Sequence, residues 1–162
     1  MTDIAYIRTH QGWLYLAVVP DHFSRQMAGW SMRSRMDREV TINALLMPVW
    51  CRQPKQEFIV HSDQGSQSIS HGWQAFPKEH NRMVTMSRRG NCHDNTAAES
   101  FCLLPKRERM RRKTYLGTEE ARRDVFDYIG IFYNLKRRHG YNQGLAPVEF
   151  EKPFLNRLES VY

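Results

Sequence analysis

Apolar and polar positions alternate over residues 2–9 (T-D-I-A-Y-I-R-T), which puts Asp3, Ala5 and Ile7 on one side of a strand. His10-Gln11-Gly12 reads as a turn into W-L-Y-L-A-V-V, residues 13–19. So continuous an apolar run fits a central strand covered on both faces. After the turn P-D-H-F-S-R, a third short strand is predicted from Met27 to Met32, giving an antiparallel meander. Asp37-Arg38-Glu39 then opens a helix in which Val40, Ile42, Leu45, Leu46 and Val49 recur at helical spacing. Phe58-Ile59-Val60 is a compact strand running into H-S-D-Q-G-S-Q, followed by a helix around His71 to His80 and a strand from Met83 to Met86. Ser87 to Asn91 is a loop, and Asn91 or Asn95 caps the helix that carries Glu99. Thr118 and two glutamates open the last long helix, with Ala121, Val125, Tyr128 and Phe132 as its apolar stripe.

The order is three strands, helix, strand, helix, strand, helix, helix. It predicts an α/β chain with a five-stranded mixed sheet flanked by helices, the connectivity of the ribonuclease H-like fold. A length of 162 residues fits one domain, read as a core over 1–151 and a tail over 152–162. With 41% hydrophobic residues the chain is too apolar to be disordered. No apolar run approaches the ~20 residues of a membrane span, and the start lacks the layout of a secretory signal. Cys51, Cys92 and Cys102 form no C-x-x-C pair, which fits a reduced, cytoplasmic protein. The histidines show no H-x₃-H pairing either, so nothing points to zinc.

The formal charge of +7 matters through its distribution. Between Arg82 and Lys113 stand nine Lys or Arg against three acids, and a second knot, Lys136-Arg137-Arg138-His139, follows. Either cluster alone reads as a solvated helix face. Two of them in the half that holds Glu99 point toward nucleic acid.

Phosphodiester transfer with two metal ions requires several carboxylates converging on one point, because Mg²⁺ prefers hard oxygen ligands. Three acids stand where such convergence is feasible. Asp3 lies on the first strand, Asp63 follows the strand ending at Val60, and Glu99 follows Ala97 and Ala98, small residues that allow close approach to the sheet. Each has a plainer reading alone: a solvated terminal residue, a turn former before Gly65, an exposed helical glutamate. Asp21 precedes His22-Phe23-Ser24-Arg25, where its side chain closes a turn onto backbone N–H groups, and Asp94 reads as a helix-start residue.

The stretches T-D-I-A-Y-I-R-T, G-W-L-Y-L-A-V-V, D-H-F-S-R, H-S-D-Q-G-S-Q, M-S-R-R-G-N-C-H-D-N, A-E-S-F, Y-I-x-x-F-Y-N (residues 128–134) and L-A-P-V-E-F resemble insertion-sequence transposases with a retroviral-integrase-type core. The resemblance runs from Thr2 to about Glu151. The 35 residues between Asp63 and Glu99 match the aspartate-aspartate-glutamate spacing of that superfamily. It implies Asp3, Asp63 and Glu99 as catalytic metal ligands, with two Mg²⁺ ions (Mn²⁺ as substitute). It also implies DNA cleavage and strand transfer on element ends and target, a homo-oligomer, and a nucleoid-associated place in a bacterial cytoplasm without membrane contact. Lys106, seven residues after Glu99 and so on the same helical face, is expected to hold a DNA phosphate, with Arg107 beside it. Arg88, Arg89 and Asn91 on the preceding loop are expected to do likewise, and His61 stands at a strand end.

The chain departs from the pattern in two respects. An upstream helix-turn-helix region, usual in the family, is expected to be missing. Pro48, Pro77 and Pro105 fall inside predicted helices, where each costs ~3 kcal/mol, and Ser68 and Cys102 replace aromatic residues. Two other readings follow: a truncated, catalytically impaired remnant that only binds DNA, and a generic ribonuclease H-like nuclease, which the Asp–Glu spacing disfavours.

Overall fold

The computed structural model describes residues 3–52, 59–62, 83–86, 108 and 113–159. Three strands, β1 (Asp3–Thr9), β2 (Gly12–Pro20) and β3 (Met27–Arg33), form an antiparallel sheet in the order β1-β2-β3. The register pairs Ala5 with Leu16 and Ile7 with Leu14, and then Leu16 with Met32 and Val18 with Trp30. β2 is central, as its unbroken apolar run predicts. Leu14, Leu16 and Val18 enter one buried cluster and Ala17 and Val19 the other. At ~1.5–3 kcal/mol per fully buried aliphatic side chain, this strand contributes strongly to both layers.

Helix α1 (Arg38–Arg52) covers the second face through Val40, Ala44 and Leu45. Asp37 caps it, its Oδ1 accepting the Val40 N–H at 3.2 Å. Pro48 lies inside the helix, as expected. The proline cannot donate to the Ala44 carbonyl, and that carbonyl faces Gly29 of β3. A Cβ at Gly29 would stand 2.1 Å from Ala44 O and 2.5 Å from Pro48 Cδ. Only glycine allows this approach of helix to sheet.

The first face is covered by helix α2 (Thr118–Phe126), which continues as a π-helical segment, Asp127–Tyr133. Gln11, in the β1–β2 turn, caps α2 by accepting the Thr118 N–H at 3.1 Å. The predicted stripe holds for Ala121, Val125 and Tyr128 and fails at Phe132, which is 42% exposed. The wider turn explains the failure: the Asn134 N–H bonds to Ile129 O, five residues back. This moves Ile129 and Tyr133 into the core in place of Phe132.

Strands β4 (Ile59–Ser62) and β5 (Met83–Met86) pair in parallel. β4 ends two residues later than expected and stops immediately before Asp63. Among the described residues, the five strands therefore form a three-stranded antiparallel and a two-stranded parallel sheet. The predicted helix over 71–80, the loop after Met86, and Pro77 and Pro105 lie outside the described residues.

The chain end folds back on the β2–β3 turn. Asn134 brackets Met27, its Oδ1 accepting the Met27 N–H (2.9 Å) and its Nδ2 donating to Met27 O (3.1 Å). Buried Asn142 donates to Ser24 O at 2.7 Å. Arg25, at φ 60°, lays its guanidinium 4.3 Å from the Tyr141 ring centre. Helix α3 (Pro147–Glu159) was not predicted and runs continuously past residue 151. Its Phe150 and Phe154 contact Phe23 at 5.4 and 4.8 Å between ring centres. His139 is buried beside Tyr133, and burial, reinforced by Arg137, pushes its pKa down to about 4.

Gly29→Ala is expected to lower the unfolding free energy by about 1–3 kcal/mol in urea titrations, because the helix must move off the sheet; an unchanged midpoint would show that α1 has slack. The folded pKa of His139 lies below its ordinary 6.5, so the unfolded chain binds the extra proton between those values. Stability therefore falls as pH drops from 6.5 to 4. The melting temperature of His139→Gln should fall less steeply across that window than that of the parent.

Candidate active site

Asp3 opens β1 opposite Val18, on the side of the strand that carries buried Ala5 and Ile7. It is half-buried, and its Oδ1 accepts the Ile4 N–H at 2.7 Å. A carboxylate here stands at the start of a strand whose remaining length is paired, which limits how far its backbone can move. Ser62 closes β4, so Asp63 is the next residue after a strand end. Asp63 and Glu99 lie outside the described residues, as do Arg88, Arg89, Asn91, Lys106 and Arg107. Among the described residues no three His, Cys, Asp or Glu side chains gather as metal ligands.

Asp21 takes the turn role read from its neighbours: its Oδ1 accepts the Phe23 N–H at 2.8 Å.

The basic knot at 136–139 divides. Lys136 and Arg138 are exposed, whereas Arg137 and His139 turn inward. The Arg137 guanidinium meets Glu108, with Nη2 2.5 Å from Oε1 and Nε 3.1 Å from each carboxylate oxygen. Tyr128 donates its hydroxyl to Glu108 Oε2 at 2.6 Å. The Arg137 hydrogen bonds hold the Glu108 carboxyl below its usual range, against the opposing effect of burial. Burial and the Glu108 hydrogen bond raise the Tyr128 phenol far above its ordinary pKa. Counting charges along the chain could not find this cluster. Glu108 is one of three acids in the basic run, and its partners lie 20 and 29 residues away.

A family model described as "Integrase core domain" matches residues 1–92, and a second of the same description matches residues 99–155. The transposase InsF for insertion sequence IS3A from Escherichia coli (strain K12) is 44% identical over 149 residues, covering 92% of this chain and 52% of that protein. The transposase for insertion sequence element IS904 from Lactococcus lactis subsp. lactis (strain IL1403) is 40% identical over 150 residues, covering 93% of this chain and 59% of that protein. The chain thus spans about half the length of the curated relatives it matches. Among solved structures, the HTLV-2 integrase catalytic core domain in complex with magnesium superposes with a TM-score of 0.59 at 16% identity, covering 92% of each chain. That likeness shows the fold, which is ribonuclease H-like. Two family models that together take in the sheet, Asp3, Asp63, Glu99 and the C-terminal helical region leave one assignment: the chain belongs to the integrase core domain family, and its relatives of high identity are insertion-sequence transposases.

Proposed function

We propose that this chain is the catalytic core of an insertion-sequence transposase, a polynucleotidyl transferase that cuts DNA strands and joins them to a target. The observation that carries this reading is the 44% identity to an IS3 transposase across 92% of the chain, with Asp3, Asp63 and Glu99 inside the ranges that the integrase core family models match. The catalytic carboxylates are Asp3, Asp63 and Glu99. In this reading β1 and β4 lie in one five-stranded mixed sheet, and Asp63, directly after β4, comes beside Asp3 at the start of β1. The core is residues 1–151 with a tail at 152–162. The whole transposase has an upstream region that recognises the element ends, works as a homo-oligomer, and acts on nucleoid DNA in the bacterial cytoplasm.

Three carboxylates offer only hard oxygen donors, a set suited to Mg²⁺ or Mn²⁺ and not to zinc. The magnesium complex of the HTLV-2 integrase core supports a divalent cation here, and Asp3, Asp63 and Glu99 would hold two such ions. When bound, the ions supply Lewis-acid activation of the attacking oxygen and charge neutralisation at the leaving oxygen. The protein groups do the rest. Asp3, Asp63 and Glu99 fix the donor geometry, and their mutual repulsion makes the site dependent on cations. Lys106 and Arg107, with Arg88, Arg89 and Asn91, neutralise and orient the phosphates flanking the scissile bond, which sets the register of the DNA without reading its sequence.

In a plasmid-nicking assay with Mn²⁺, Glu99→Gln is expected to reduce nicking by roughly 100-fold or more relative to the parent chain; equal nicking by both proteins would remove the catalytic assignment. Lys106→Ala should weaken binding to all duplex sequences alike and reduce the slope of log affinity against log salt by about 1. An unchanged slope would take Lys106 off the phosphate backbone.

A further inference from the structure

Helix α1 begins at Arg38 and covers part of the second sheet face, where Ala17 and Val19 are buried together with Val40, Ala44 and Leu45. The rest of that face belongs to the β1–β2 hairpin and is open to solvent. Tyr6 stands directly opposite Tyr15, Arg8 opposite Trp13, and Tyr15 opposite Arg33 on β3. Residues that oppose each other across paired strands share a face, and these alternate along β1 and β2 with buried Ala5, Ile7, Leu14 and Leu16. Tyr6 and Trp13 are 55% and 52% exposed. The Tyr6 and Tyr15 rings meet edge to face at 5.4 Å between centres, and the Tyr6 hydroxyl donates to Met36 Sδ at 3.2 Å. Tyr6 is thus held in a defined orientation while most of it still faces water.

Charge decides what such a face attracts. Residues 4–20 contain no acid, and Arg8 is exposed among the rings. Arg35 and Arg38 are exposed in the segment that reaches Tyr6 through Met36. The acids of that segment, Asp37 and Glu39, are both paired with Arg33. Exposed aromatic rings offer a π-face to any unstacked base, and arginines beside them neutralise the phosphates. A duplex keeps its bases within its own stack and gives the rings nothing to hold. A second copy of this chain, itself at +7, would bring like charge to the arginines. We propose that the open face of the β1–β2 hairpin binds single-stranded DNA, with Tyr6 and Trp13 stacking on bases and Arg8 contacting a backbone phosphate. The site is separate from the proposed carboxylates, because Asp3 lies on the side of β1 that carries Ala5 and Ile7. The choice of DNA over RNA rests on the transposase reading, whereas the stacking face does not.

The test follows the anisotropy of a fluorescein-labelled oligodeoxythymidylate of about 12 nucleotides as it binds the whole chain. No divalent metal is added, so a failure of the carboxylate assignment leaves this measurement intact. Tyr6→Ala and Trp13→Ala should each weaken binding by roughly 5- to 100-fold, with affinity for a duplex of the same length unchanged. Tyr6→Phe and Trp13→Phe keep a ring and should bind as the parent does. Arg8→Ala should reduce the slope of log affinity against log salt by about 0.7. Ultraviolet cross-linking of a 5-iodouracil oligodeoxynucleotide to the unaltered chain should label Tyr6 or Trp13, a readout that needs no variant to fold. Parental affinity in folded Tyr6→Ala and Trp13→Ala would overturn the proposal, and so would cross-links that fall only elsewhere. Tighter binding of the matching oligoribonucleotide would overturn the choice of DNA. Alanine variants that lose an oligomer yet keep single-strand affinity would assign the face to contact between copies of the chain instead.

Discussion

A strand buried on both faces must be covered twice, and that constraint organises the described structure. β2 sends Leu14, Leu16 and Val18 to one side and Ala17 and Val19 to the other. Neither set can face water without losing the burial that stabilises it. Helix α1 answers one face. Helix α2 and its π-helical continuation answer the other. The result is a three-layer sandwich in which β1, and with it Asp3, is held in place by its pairing to β2.

The two cover layers are fitted to the sheet by different means. On the α1 side the fit is steric, since Gly29 admits the Ala44 carbonyl and the Pro48 ring where any other residue would collide. A proline that costs a helix one hydrogen bond is here matched to a glycine that accepts the resulting contour. On the other side the fit is polar. The Asn134 amide satisfies both backbone groups of Met27, as a neighbouring strand would. Asn142 ties down Ser24, and the Phe23, Phe150 and Phe154 rings close over the turn. Buried amides are costly unless paired. In this position they also specify which turn the chain end can dock on.

The chemistry proposed for this chain depends on that rigidity. Asp3 is placed by strand pairing and Asp63 follows directly from a strand end. Glu108 is held by the Tyr128 hydroxyl and the Arg137 guanidinium. A carboxylate in a basic stretch looks like simple charge balance. Set against Tyr128 and Arg137, it becomes a fixed point of the chain.

Much was legible in the sequence where a residue's role depends on its near neighbours. The alternation over 2–9, the apolar run at 13–19, the Asp37 cap, the Asp21 turn and the Met83–Met86 strand all express preferences acting within a few residues. The family resemblance was legible for the same reason, since it is carried by short contiguous motifs. Other features were decided only in three dimensions. Phe132 lost its place in the core because a π-helical turn changes the angle per residue, and no count at a period of 3.6 anticipates it. Half of the basic knot at 136–139 turned inward because Arg137 meets Glu108, 29 residues away in the chain, and His139 packs beside the Tyr133 ring. Gln11 capping α2, and Asn134 bracketing Met27, each join residues 107 apart. Local order is written in spacing, whereas these contacts exist only after the chain has closed on itself, when desolvation makes each polar group find a partner.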